Sequence, residues 1–212
     1  MDCTMIDMAR YPRKAHFDYF RAMAYPYVGV TVKVDITQFL EHIRALGAPF
    51  FLSFVYCVTR AANAVPELRQ RIDGDGIREY AWCPGSVTLA LPDGTYCYCT
   101  LDCREDFAGY LPAAEAARAK ALASASVEDG EEGDSLLFLS SLPWLHSEAF
   151  TQPVPPPADS NPRITWGRFA ATGEKTLIPV TLLCNHALVD GRHLAAFFEA
   201  LDRELSFFTL TP

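Results

Sequence analysis

Cys184-Asn185-His186-Ala187-Leu188-Val189-Asp190-Gly191 ends one pattern and begins another. Upstream, Leu177-Ile178-Pro179-Val180-Thr181-Leu182-Leu183 is apolar and β-branched, the composition of a buried strand. Downstream of Gly191, apolar residues recur at Leu194, Phe197, Phe198, Leu201 and Leu205, the spacing of one helical face. His186 therefore falls at a strand-to-helix junction, where a rigid scaffold meets a loop. Imidazole titrates near neutrality, so a neutral ring there can take a proton from a hydroxyl. By amino-acid frequencies His-x-x-x-Asp-Gly arises by chance in on the order of a few per cent of chains this long. The neighbouring segments must carry any assignment.

Working outward, Tyr27 to Val34 alternates and is rich in β-branched residues, which predicts a strand. From Asp35 to Leu46, Ile36, Phe39, Leu40, Ile43 and Leu46 share one helical face; Asp35, with Gln38 three residues on, suits the start and Gly47 the end. Phe50 to Val65 is continuously apolar and predicts a buried helix ending near Pro66. Strands are expected at Ile77–Tyr80, Ser86–Leu91 and Thr95–Leu101, the last two joined by the turn Pro92-Asp93-Gly94. Ala113–Ala125 has helical composition, Glu128–Asp134 reads as a solvated acidic loop, and Leu136–Ser140 as another strand. Pro153-Val154-Pro155-Pro156-Pro157 is a stiff connection without donors for a central ladder. Strands resume after each loop, so residues 1–212 are expected to form a single α/β domain.

The chain has 212 residues, half of them apolar, enough to bury a core without disulfides. A net charge of −8 with no long run of Lys and Arg argues against a nucleic-acid surface. No apolar run approaches the ~20 residues needed to cross a bilayer, and the start lacks the pattern of a signal peptide. A cytoplasmic protein without membrane partners is expected. Seven cysteines then read as reduced thiols. Cys97, Cys99 and Cys103 lack a Cys-x-x-Cys pair and a nearby fourth ligand, so small buried side chains are expected there rather than a metal.

Six segments, in order, resemble the chloramphenicol acetyltransferase family: Arg13-Lys14-Ala15-His16-Phe17, Val34-Asp35-Ile36-Thr37, Pro66 to Ile72, Ser140-Ser141-Leu142-Pro143-Trp144, Pro162-Arg163-Ile164-Thr165, and His186 to Gly191. The resemblance spans nearly the whole chain. It implies a mixed β-sheet flanked by helices, a homotrimer, and active sites between neighbouring subunits. It also implies acetyl transfer from acetyl-CoA, a co-substrate, to the hydroxyl of a small molecule, chloramphenicol or another alcohol. His186 aligns with the family's general base, whose ring is held by its own backbone carbonyl; Asp190 and Arg13 align with a salt-bridged pair supporting the site. His193, His16 and His146 are expected at surfaces or interfaces, and Trp144 and Trp166 in the core or a pocket wall.

Transfer to a thioester carbonyl also needs a donor for the tetrahedral oxyanion. The family uses a serine after Pro-Trp, where this chain has Ala149. Ser147, Thr165 or an ordered water are the substitutes in view; on a strand Ser147 would share Ala149's side but lie roughly 7 Å along the chain. The acceptor pocket is expected to draw on Tyr19, Phe20, Tyr25, Val28, Tyr96 and Tyr98, with Phe20, Pro26 and Val28 standing where the family has tyrosine, cysteine and phenylalanine. On the CoA side Pro49 replaces a lysine, while Arg168-Phe169 keeps a cation beside an aromatic ring. These departures leave a second reading open: a trimeric binding or scaffolding protein that keeps the fold without efficient catalysis. Kinship with dihydrolipoyl acyltransferase cores, which share a related motif, is a third; the chain has no lipoyl domain or long linker to support it.

Overall fold

The structure, a computed structural model, describes residues 2–127, 133–206 and 208. In chain order the elements are β1 (Cys3–Met5), α1 (Lys14–Arg21), β2 (Tyr27–Asp35), α2 (Thr37–Ala45), α3 (Phe50–Asn63), a 3-10 turn (Pro66–Arg69), β3 (Gln70–Asp73), β4 (Gly76–Tyr80), β5 (Gly85–Ala90) and β6 (Tyr96–Leu101). There follow α4 (Phe107–Ser124), a 3-10 turn (Gly133–Ser135), β7 (Leu137–Leu142), β8 (Arg163–Gly167), β9 (Ala170–Thr172), β10 (Lys175–Asn185) and α5 (Gly191–Ser206).

The main sheet runs β2-β10-β8-β7-β5-β6, with β9 also paired to β10. Its β5–β7 and β7–β8 pairs are parallel and the rest antiparallel, so the sheet is mixed as the α/β expectation required. A smaller antiparallel sheet runs β1-β4-β3. Central position explains the composition of β10: neighbours on both edges satisfy its backbone, and Ile178, Val180 and Leu182 are fully buried. Each such side chain contributes roughly 1.5–3 kcal/mol through removal from water. Gly29 of β2 sits opposite Leu183; a Cβ there would lie 2.9 Å from the Leu182 carbonyl oxygen. α3 packs against α4 and α5 over this sheet, and Phe39, Phe54, Tyr56, Phe107 and Phe208 make edge-on ring contacts in the core between them.

Several boundaries differ from expectation. α2 starts at Thr37, because β2 runs through Asp35, whose carboxylate instead accepts from the backbone N–H and hydroxyl of Thr37 at 3.1 and 2.6 Å. α3 stops at Asn63, before Pro66 is reached. α4 begins six residues before Ala113: Asp106 accepts from Gly109 N–H at 2.9 Å and starts the helix, and Pro112 lies inside it. The proline removes one helical donor near the N-terminal end without stopping the helix. Of the acidic run, residues 128–132 lie outside the described residues, while Gly133 and Asp134 belong to a 3-10 turn. Cys97, Cys99 and Cys103 are buried, and burial pushes the Cys99 thiol up to about 11 and that of Cys103 up to about 12. Among the described residues no helix is long and apolar enough to cross a membrane.

Candidate active site

His186 is the first residue after β10, in a tight turn built by Asn185. The Asn185 carbonyl accepts from Leu188 and Val189 N–H at 3.1 Å each, its side-chain oxygen accepts from Ala187 N–H at 3.0 Å, and its amide donates to the Asp159 carbonyl at 2.9 Å. His186 N–H donates to the Pro26 carbonyl at 2.7 Å, joining this turn to the start of β2. The ring stacks on Phe20 of α1, centroids 3.8 Å apart. Its Nδ1 lies 2.8 Å from the Val189 carbonyl oxygen, so the holding carbonyl is that of Val189, not of His186 itself. A turn that folds forward from a strand end brings residue i+3 to the ring, which motif spacing alone did not reveal. A carbonyl can only accept; Nδ1 therefore carries the hydrogen in the neutral ring, and Nε2 is left as the basic nitrogen.

Asp190 has two tasks. One carboxylate oxygen pairs with Arg13, and the other accepts from Arg192 N–H at 2.9 Å, capping α5. His193 joins this group: its Nδ1 accepts from Asp190 N–H at 3.0 Å and its Nε2 lies 3.5 Å from Glu67. Partial burial pushes the Asp190 carboxyl up, but the Arg13 hydrogen bond, the Arg192 N–H and the Arg13 charge outweigh it, and the group ends below its ordinary value. A carboxyl lowered in the native state stabilises it above the unfolded value, about 3.9, and that stabilisation is lost as pH falls through the native value. Asp190→Asn is therefore expected to lower Tm at neutrality, with the gap closing as pH drops from about 5 to about 3. A gap constant over that range would count against the ion pair's contribution.

A second group of residues lies elsewhere on the sheet. A cavity of about 800 Å³ is walled by Ser86 and Thr88 of β5, Tyr96 and Tyr98 of β6, Ser140 and Ser141 of β7, and Trp144, Phe150 and Gln152 of the following segment. Tyr96 and Tyr98 thus face this cavity, whereas Tyr19, Phe20, Tyr25 and Val28 do not line it. Within one chain the latter sit near His186: Tyr19 is edge-on to Phe20, Tyr25 packs on Tyr27, and Val28 pairs with Cys184. Thr165 on β8 is opposite Thr181, five residues before His186, roughly 16 Å at ~3.3 Å per residue. His186 is not among the residues that wall the cavity; Arg163, which is, pairs with Leu183, three residues before His186 and roughly 10 Å from it at ~3.3 Å per residue.

Residues 143–162 form no strand, so the alternation expected for Ser147 and Ala149 does not apply. Ser147 instead packs on β8: a Cβ at Gly167 would lie 2.8 Å from its Oγ and 2.8 Å from the Leu145 carbonyl oxygen. Arg168 N–H donates to that same carbonyl at 2.7 Å, and Phe169 packs on Phe50 with centroids 5.3 Å apart. Phe50 follows Pro49, so Phe169 lies beside the residue next to Pro49. Trp166 is buried, while Trp144 is exposed on the cavity wall, and His16 and His146 are exposed.

A family profile described as chloramphenicol acetyltransferase matches residues 1–202. The chain belongs to the chloramphenicol acetyltransferase family. Relatives include chloramphenicol acetyltransferase 2 of Escherichia coli, 26% identical over 205 residues, which cover 95% of this chain and 96% of that protein. A chloramphenicol acetyltransferase of Klebsiella sp is 26% identical over 206 residues, covering 94% and 92%. Among solved structures, a chloramphenicol acetyltransferase superposes with a TM-score of 0.82 at 23% identity, over 96% of this chain and 100% of that one. A probable dihydrolipoamide acetyltransferase from Listeria monocytogenes gives 0.67 at 18% identity, over 97% and 94%. The structural likeness shows the shared fold, and membership of the chloramphenicol acetyltransferase family makes the chain an acyltransferase. Family and fold together support acetyl transfer to a small molecule.

Two features of the site escaped the sequence. Gln152, whose amide donates to the Thr165 hydroxyl, sits in a proline-rich stretch with no periodicity to mark it. Asp159 accepts from Tyr27 Oη at 3.0 Å and binds Arg163 through both carboxylate oxygens at 2.7 and 2.6 Å, linking the β2 start, the His186 turn and β8. Only the three-dimensional meeting of distant segments shows it.

Proposed function

We propose that this single-domain chain is an acetyl-CoA-dependent O-acetyltransferase acting as a homotrimer, in which His186 of one copy serves an acceptor held in the cavity of the next. The observation that carries this is the His186 ring itself, tied at Nδ1 to Val189, braced by Phe20, and leaving Nε2 as the basic atom. The acceptor O–H gives its proton to Nε2 as its oxygen attacks the thioester carbonyl; the tetrahedral intermediate collapses, the C–S bond breaks, and the imidazolium returns the proton to the CoA sulfur. Arg168 and Phe169 suit a phosphate and an adenine ring. They flank the far end of β10 from His186, and the roughly 30 Å between suits an extended cofactor reaching along a subunit seam.

The acceptor is a small alcohol with an apolar body, since aromatic side chains share the cavity wall with serine and threonine hydroxyls. Chloramphenicol belongs to that class. Purified protein given acetyl-CoA and a panel of alcohols, chloramphenicol included, is expected to release free thiol, and sedimentation is expected to give a trimer. A monomer, or no thiol release with any alcohol, would refute the proposal. One observation favours a second reading, a trimeric binding or scaffolding protein: Ala149 is exposed and its side chain has no donor. Tight acetyl-CoA binding without turnover is the outcome that would select it.

A further inference from the structure

We propose that the side-chain amide of Gln152 supplies the oxyanion donor that Ala149 cannot. The inference rests on the acetyltransferase reading above and names a catalytic residue for it. Gln152 is half-buried on the wall of the cavity, beside Ser140, Ser141 and Phe150. Its Nε2 donates to Thr165 Oγ1. Thr165 is buried on β8 between β7 and β10, so the anchor is part of the rigid sheet rather than of a loop. The bond to Thr165 occupies one of the two amide hydrogens, and the second remains to serve a ligand.

Three physical points favour the amide over the other hydroxyls. A neutral N–H costs little desolvation before reaction and strengthens as charge develops on the carbonyl oxygen, the behaviour required of an oxyanion donor. Pro153 follows directly and restricts Gln152 to extended backbone, which reduces the entropy lost in holding its side chain. Ser147, the alternative, lies against Gly167 at the end of β8 and is not among the residues that wall the cavity. As the acceptor oxygen bonds to the acetyl carbon, the carbonyl π pair moves onto oxygen, and the Gln152 N–H holds it until the C–S bond breaks.

The test compares wild type, Gln152→Met, which keeps length without donors, Gln152→Glu, and Gln152→Met combined with Ala149→Ser. Thiol release is followed with acetyl-CoA and the best alcohol of the panel. Gln152→Met is expected to lower kcat by about 10²-fold while the KM for acetyl-CoA changes by less than about threefold, the pattern of an interaction made in the transition state. Gln152→Glu is expected to be at least as slow, since a carboxylate repels the oxyanion. Adding Ala149→Ser is expected to recover about tenfold or more, which a mere clamp on residues 143–162 would not show. A Gln152→Met kcat within about threefold of wild type, or a loss that Ala149→Ser leaves untouched, overturns the assignment. Wild-type turnover with an indifferent Gln152 removes the donor alone; a wild type that releases no thiol removes the acetyltransferase reading and the donor together.

Discussion

Replacing His186 with alanine is expected to lower thiol release from acetyl-CoA by about 10²- to 10⁴-fold, the range over which a positioned general base contributes. The expectation follows from the ring's fixed geometry. Nδ1 is committed to the Val189 carbonyl and one face to Phe20, so neither ring rotation nor tautomer exchange is needed before the proton moves. Alanine removes Nε2 and leaves the turn, because Asn185 makes the turn's hydrogen bonds and the His186 contribution to them is its backbone N–H. KM for acetyl-CoA should change little, since Arg168 and Phe169 lie at the other end of β10. Equal kcat in His186→Ala and wild type would end the base assignment, and His186→Gln serves as the check that loss of a base rather than of shape is measured.

Arg71→Met is expected to destabilise the fold by about 3–5 kcal/mol, a fifth or more of the roughly 5–15 kcal/mol a domain of ordinary marginality has. Arg71 is fully buried on β3. Its guanidinium donates to the carbonyls of Leu68, Gln70, Asp134 and Leu136 at 3.0, 2.7, 2.8 and 3.0 Å. Asp134 and Leu136 would keep the Asn161 amide as a donor, but Leu68 and Gln70 would lose this one, at about 1–3 kcal/mol each. Exchanging a buried ion pair for apolar side chains is often harmless, because both partners leave together. Here, apart from the Cys83 sulfur at 3.6 Å, the partners are backbone carbonyls, which no substitution removes. The urea midpoint should fall with an unchanged slope, and a shift equivalent to less than about 1 kcal/mol would refute the account.

The parts of the fold most legible in the sequence were those whose local pattern and tertiary fate agree. α2 and α5 each show one period and bury the corresponding face, β2 alternates but at the sheet edge buries only Val34, and the run from Leu177 to Leu183 is apolar because β10 has neighbours on both sides. β1, β3 and β9 are three or four residues long, too short to display alternation, and exist because a partner strand completes them. α4 starts six residues before the alanine-rich stretch because Asp106 caps it, a contact that composition does not mark. His186, Asp190 and Arg13 were marked by motif order, and the structure pairs Arg13 with Asp190 and ties the His186 ring to the carbonyl of Val189. Gln152, Asp159 and His193 were not, since each acquires its partners from segments up to 132 residues away or through a turn whose direction composition does not encode.

That His186 does not wall the cavity of its own chain changes what counts as the working unit. In the proposed trimer a copy without a base still lends a sound cavity to one neighbour, and a copy with a ruined cavity still lends a sound base to the other. Two inactive variants mixed in one ring can therefore restore an intact seam between them, while a copy damaged at both ends silences two seams of three. Activity is then a property of junctions, counted by pairs of neighbours rather than by chains.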